Sequence, residues 1–173
     1  MAVDHYTFPL SIVLAAFVIS CDREPISAPR AINYYHAGCY GSCPAFTIEV
    51  DRRGRGTFEG RAYTPAHGKR SFAVTPQQFD AFAKALEPAR LRAKPLNLKK
   101  NVVEESNVDF RCPPSAPNHT DDTGVLVMWL GSQDLYFDAY YGCDAERNKE
   151  HYEALDRAPD KLGLGKMIGP HSP

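Results

Sequence analysis

The chain has 173 residues, which is one ordinary domain's worth of polypeptide once a leader is set aside. Its hydrophobic fraction of 43% and charged fraction of 24% suit a globular domain with a core and exclude a wholly disordered chain. A formal net charge of -1 lacks the basic excess of a typical nucleic-acid binder, and no internal repeat is visible.

The first segment is an apolar run from Phe8 to Ile19, interrupted by Pro9 and Ser11 and closed by Val18-Ile19-Ser20-Cys21. It falls short of the roughly 20 apolar residues that cross a bilayer as a helix. A run of about 7 to 15 apolar residues near the N-terminus, followed by small residues, has the form of an export signal. Met1 to Pro9 carries no Lys or Arg, and Asp4 and His5 stand where a basic opening is usual. The run and its cysteine resemble the lipobox of bacterial lipoproteins. That resemblance implies a signal peptide over residues 1–20, cleavage after Ser20, and a diacylglyceryl group on the Cys21 sulfur. Acyl chains add about 0.8 kcal/mol per buried methylene, so a multiply acylated Cys21 would hold the chain on a membrane. Residues 21–31 then form the lipidated cysteine and a tether containing Pro25, Ser27 and Pro29, and residues 32–173 form a single domain.

From Pro44 the sequence alternates, with Phe46, Ile48 and Val50 on one face and Thr47, Glu49 and Asp51 on the other, the period of a half-buried strand. Arg52 to Arg55, with Gly54, makes a turn, and Gly56 to Tyr63 returns as the second strand of a hairpin. Ser71 to Val74 is a third strand. Thr75-Pro76-Gln77-Gln78 carries an N-cap, a proline at the first helical position and a reciprocal Gln, so a helix begins there. Phe79, Phe82, Ala83 and Leu86 share one face of it, and Pro88 ends the pattern. Ala93 to Asp122 is a long polar connection rich in proline, with the acidic pair Glu104-Glu105 and the cluster His119-Thr120-Asp121-Asp122. Val125 to Leu130 is apolar on both faces, as a central strand is, and Leu135 to Tyr141 pairs back on it. Asp144 caps a last helix running to about Asp156. The order β-β-β-α-β-β-α predicts an α+β fold, with an antiparallel sheet of about five strands and two helices packed on one face.

With Cys21 acylated, Cys39, Cys43, Cys112 and Cys143 remain, an even number that reads as two disulfides in an oxidising compartment. Four cysteines allow three pairings, and spacing alone leaves the choice open. Cys39 and Cys43 close a tight loop through Gly41 if they pair with each other. The same Cys-x-x-x-Cys-Pro spacing is similar to the copper-binding segment of cytochrome oxidase assembly proteins, with His36, His119 or His151 as a further ligand. In those proteins a helix follows the motif, whereas here a strand follows. Two inert or differently paired thiols are the third reading.

Gly38-Cys39-Tyr40-Gly41-Ser42-Cys43-Pro44-Ala45-Phe46, followed by the alternating strand, the Gly54 turn and Phe58-Glu59-Gly60, resembles the bacterial domain of unknown function 6438 family. The likeness covers about residues 32–91 well, and the later hairpin and closing helix more loosely. The family has no assigned activity to carry over. Cys112, Cys143 and the loop from Pro113 to Thr120 look like additions to its pattern, which implies that these two cysteines pair with each other. No Gly-x-Ser-x-Gly elbow, His-Glu-x-x-His helix or phosphate loop occurs, so no catalytic residue and no cofactor is assigned. The expectation is a membrane-anchored lipoprotein on the periplasmic side of the cell envelope, with a binding or structural role and an envelope protein as partner. A periplasmic copper-binding or thiol-redox protein using Cys39, Cys43 and His36 is the alternative. Tyr34, Tyr35, Tyr136, Tyr140 and Tyr141 either supply a contact surface or fill the core.

Overall fold

The computed structural model describes residues 28–96, 112, 115, 117 and 122–170. The leader, Cys21, the start of the tether, Glu104, Glu105, His119 and Asp121 lie outside the described residues. The chain joins the sheet at Arg30, whose amide donates to the Leu130 carbonyl at 2.7 Å.

One antiparallel sheet of seven strands organises the described residues, in the order β4-β3-β2-β1-β6-β7-β5. β1 (Ala31–His36) is central, between β2 (Ala45–Asp51) and β6 (Gly124–Leu130). β3 (Arg55–Ala62) and β4 (Gly68–Ala73) extend one side, and β7 (Leu135–Tyr140) with the two-residue β5 (Lys94–Pro95) extends the other. Four α-helices accompany it: α1 (Pro76–Ala85), α2 (Glu87–Arg90), α3 (Ala145–Arg157) and α4 (Gly165–Ile168).

The α+β class and the antiparallel sheet match the expectation, but seven strands and four helices replace about five and two. The additional strands are the central β1, for which the sequence analysis gives no element, and β5; the additional helices are α2 and α4. β5 exists only through pairing with Leu135 and Tyr136, and Pro95 is tolerated there because an edge strand needs no amide donor on its outer side. α2 and α4 have four residues each, too few to show helical periodicity. Pro88 does not simply end the helical pattern; it lies in the first turn of α2, where an amide has no intrahelical acceptor to lose. Asp144 precedes α3 as expected, yet its side chain caps no amide, because its backbone is left-handed at φ 47° while side-chain capping needs an extended N-cap.

Strand parity sets the core. Ile32, Tyr34 and His36 of β1 lie in register with Val50, Ile48 and Phe46 of β2 and with Trp129, Val127 and Val125 of β6, and all are buried. α1 and α3 cover this same face. Phe79 and Phe82 of α1 are buried, with the Phe82 ring edge-on to Tyr34 at 6.1 Å, and the Tyr34 hydroxyl donates to the Leu155 carbonyl of α3 at 3.0 Å. Burial of each such side chain contributes about 1.5–3 kcal/mol. The capping box at α1 forms as expected, with Gln78 N–H donating to Thr75 Oγ1 and Thr75 N–H donating to Gln78 Oε1. The tyrosines divide between the two roles the sequence left open. Tyr34 and Tyr141 are core, while Tyr35, Tyr136 and Tyr140 are half-buried on β1 and β7. The Arg61 guanidinium lies 4.4 Å over the Tyr35 ring and donates to Thr47 Oγ1 at 2.6 Å.

Candidate functional site

The inward alternation of β1 ends on an ionisable residue, His36, which is 2% exposed. Its imidazole stacks on Phe46 at 5.2 Å with an interplanar angle of 4°. Nδ1 lies 2.7 Å from the Pro44 carbonyl oxygen and Nε2 lies 2.9 Å from Asp156 Oδ1 of α3. Both neighbours are oxygens, and a carbonyl can only accept, so Nδ1 carries a proton. The contact with Asp156 then needs a second proton. Either an imidazolium facing a carboxylate or a neutral ring facing a protonated carboxyl satisfies both bonds. In both arrangements neither ring nitrogen is open to a substrate or a metal, so His36 ties the strand to the cysteine loop and to α3.

That loop is the Cys-Tyr-Gly-Ser-Cys segment. The sulfurs of Cys39 and Cys43 lie at disulfide distance, with Cα atoms 5.4 Å apart, and Tyr40 between them is 90% exposed. Cys112 and Cys143 form a second pair at disulfide distance, Cα atoms 5.3 Å apart, immediately before α3. The Cys143 carbonyl accepts from Tyr152 Oη at 2.7 Å and from Asn148 Nδ2 at 3.1 Å, which fastens that pair to the helix surface. Both cysteine pairs therefore sit at one end of the sheet.

Between the loop and α3 lies a cleft of about 310 Å³. Cys43 and Pro44 form one wall; Lys149, Tyr152, Glu153 and Asp156 of α3 form the other; His36 and Tyr141 lie at the base, with Asp122 and Thr123 at the near end. Tyr141 stacks on Tyr152 at 4.8 Å and meets His36 edge-on at 6.3 Å. The Thr123 hydroxyl donates to the Ala37 carbonyl, and Tyr141 N–H donates to the Thr123 carbonyl, so the base of the cleft is stitched to the end of β1. Burial pushes the hydroxyls of Tyr34 and Tyr141 well above the usual tyrosine range, and the Asp156 carboxylate adds to both. The charge of the neighbouring Tyr34 hydroxyl and a hydrogen bond with it add to the rise at Tyr141.

Of the candidate residues, His36 and Cys43 meet at this cleft and Cys39 lies one loop away; Cys112 lies beside the start of α3. His67 is exposed on another loop, and His151 is half-buried against Phe137 at 5.8 Å. Among the described residues no group of three His, Cys, Asp or Glu converges to hold a metal ion. Asp156, Glu153 and Lys149 escaped the sequence reading, since charged residues on a closing helix look like an ordinary solvated face. The usable signal was His36 itself, a polar residue at an apolar parity, which demands partners.

No curated protein matches the chain. A family model matches residues 30–158, a span that contains every residue of the cleft. The chain belongs to the family described as a domain of unknown function (DUF6438).

Proposed function

We propose that this chain is a lipid-anchored binding module of the bacterial cell envelope, acylated at Cys21 and facing the periplasm, with Cys39–Cys43 and Cys112–Cys143 as disulfides. One observation carries the reading: every cysteine beyond Cys21 meets a partner at disulfide distance. Such pairing suits a small domain that folds where thiols are oxidised. The apolar run closed by Cys21 provides the route there, and membrane attachment falls to the acyl group. Among the described residues no helix is long and apolar enough to cross a membrane. The binding role is supported by the cleft, whose size is at the lower end of small-ligand sites.

Fractionation tests the anchor. The wild-type protein is expected in the membrane fraction, soluble only in detergent, and Cys21→Ser is expected to lose acylation and signal cleavage. A wild-type protein found in the cytoplasm with Met1 intact refutes the reading.

The copper or thiol-redox alternative needs Cys39 and Cys43 as open thiols and a free nitrogen on His36. The paired sulfurs and the two hydrogen bonds of His36 favour the first reading. Stoichiometric copper binding that is lost in Cys39→Ser would reverse that preference.

A further inference from the structure

We propose that the outer edge of β4 accepts an added antiparallel strand from an acidic, extended segment of a partner protein. This goes beyond the binding role proposed above, and it depends on neither the cleft nor the lipid anchor.

The register shows which groups the edge offers. Val74 N–H donates to the Gly54 carbonyl at 2.8 Å, so Val74 turns its backbone toward β3. Backbone direction alternates along a strand, and β4 stays in register with β3 from Arg55↔Ala73 to Gly60↔Gly68. Phe72, Arg70 and Gly68 therefore bond inward, and the N–H and C=O groups of Lys69, Ser71 and Ala73 point away from the sheet. β4 is the last strand on its side, and among the described residues no strand pairs with that edge. The Lys69 carbonyl is met by a side chain of its own strand, the Arg70 guanidinium at 3.2 Å.

Proteins close such edges to other strands with a proline, a bulge, a covering element or charge. β4 reads Gly-Lys-Arg-Ser-Phe-Ala, without proline; its pairing with β3 shows no register shift, and every residue but Phe72 is exposed. Its guard is charge of one sign. Arg70 shares the helix-covered face with Phe72, since it lies opposite the buried Phe58, and Lys69 and Ser71 lie on the other face. Lys69 Nζ is 3.8 Å from Glu59 Oε2, and Arg70 meets no carboxylate among the described residues. A strand laid beside β4 thus finds a cation on each face of the sheet. That arrangement repels a basic segment and attracts one with two consecutive carboxylates. A second copy of β4 would double the cations along the seam. Run antiparallel, the matching segment reads apolar, polar, acidic, acidic, opposite Phe72, Ser71, Arg70 and Lys69. Main-chain hydrogen bonds supply its affinity and the side chains its selectivity.

The test uses a capped hexapeptide, Thr-Ile-Thr-Glu-Glu-Thr, titrated into the protein as the cell processes it and followed by amide hydrogen exchange. It is expected to slow exchange at the Lys69, Ser71 and Ala73 amides. It should bind at least about tenfold more tightly than the same peptide with lysine in place of both glutamates. N-methylation of its third and fifth residues, which removes the donors facing Ser71 and Lys69, should abolish binding. Arg70→Gln, at an exposed position, should weaken binding about threefold. Ser71→Pro should fold, because proline is tolerated where an edge amide faces outward, and should not bind. The N-methylated peptide asks the same question without altering the protein. Equal binding of the lysine peptide overturns the acidic partner. Binding that survives N-methylation overturns strand addition. Unchanged exchange at the three amides under millimolar peptide overturns the proposal as a whole. Self-association that protects these amides without any peptide gives the edge to a second copy and overturns it too.

Discussion

The two ends of the sheet are held by different kinds of link. At the turn end, the hairpin between β2 and β3 is closed by local chemistry. Gly54 adopts φ 82°, and a Cβ there would lie 2.1 Å from the Val74 carbonyl oxygen. The Asp51 carboxylate accepts from Arg55 N–H at 3.0 Å and from its guanidinium at 2.7 Å, which holds that carboxyl below the usual range. The side-chain partners that close this turn, Asp51 and Arg55, are four residues apart. At the cysteine end, His36 meets Asp156 across 120 positions, Thr123 meets Ala37 across 86, and Cys112 meets Cys143 across 31. The end that carries the cleft is therefore assembled from distant parts of the chain, and it pays a loop-closure entropy that the hairpin avoids.

This contrast can be broken by substitution. The largest loss should come from the core that both ends share: Phe82→Ala, at a fully buried ring packed on Tyr34, should cost about 3–5 kcal/mol in urea unfolding. Next comes the long cysteine link. Replacing Cys112 and Cys143 by Ser should cost about 3–4 kcal/mol, because the closed loop has a separation of 31. The same double change at Cys39 and Cys43, with a separation of 4, should cost about 2 kcal/mol. Equal losses for the two pairs would mean that the short loop does more than limit its own freedom, most directly through Pro44 and His36. Thr75→Ala removes the cap of α1 and should cost about 1 kcal/mol, leaving the cleft unchanged. Any change in ligand binding by that variant would contradict the independence of the two ends.

The smallest effect concerns pH. Burial, and after it the charge of Arg92, lowers His151 from its ordinary 6.5. The folded state therefore takes up this proton at lower pH than the unfolded chain does. Stability from this group is complete above 6.5 and declines as the pH falls below it toward the folded value. His151→Gln should flatten that decline in thermal unfolding measured between pH 7 and 5. The effect is modest because the ring is only partly buried.

Legibility in the sequence followed the same division. The hairpin, its Gly54 turn and the capping box of α1 were readable because each depends on residues a few positions apart. So was the apolar stripe of Phe79, Phe82 and Leu86. β1 is absent from the sequence reading: its inward positions close on His36, whose place in the interior makes sense only once Asp156 and Pro44 are opposite it. β5 is a strand through pairing with β7 alone. The cleft had no local signature: Lys149, Glu153 and Asp156 recur at helical spacing on α3 like any solvated face. The cysteines were the exception, since their number forecast two pairs, though not from spacing which partner each would take.

The central claim is that this domain matures outside the cytoplasm, with its sulfurs oxidised and its N-terminus acylated. Non-reducing peptide mass mapping of the membrane-extracted protein tests it most directly. The account predicts Cys39 linked to Cys43, Cys112 linked to Cys143, and a first residue that is acylated Cys21. Four free thiols on a chain that still begins at Met1 would contradict it.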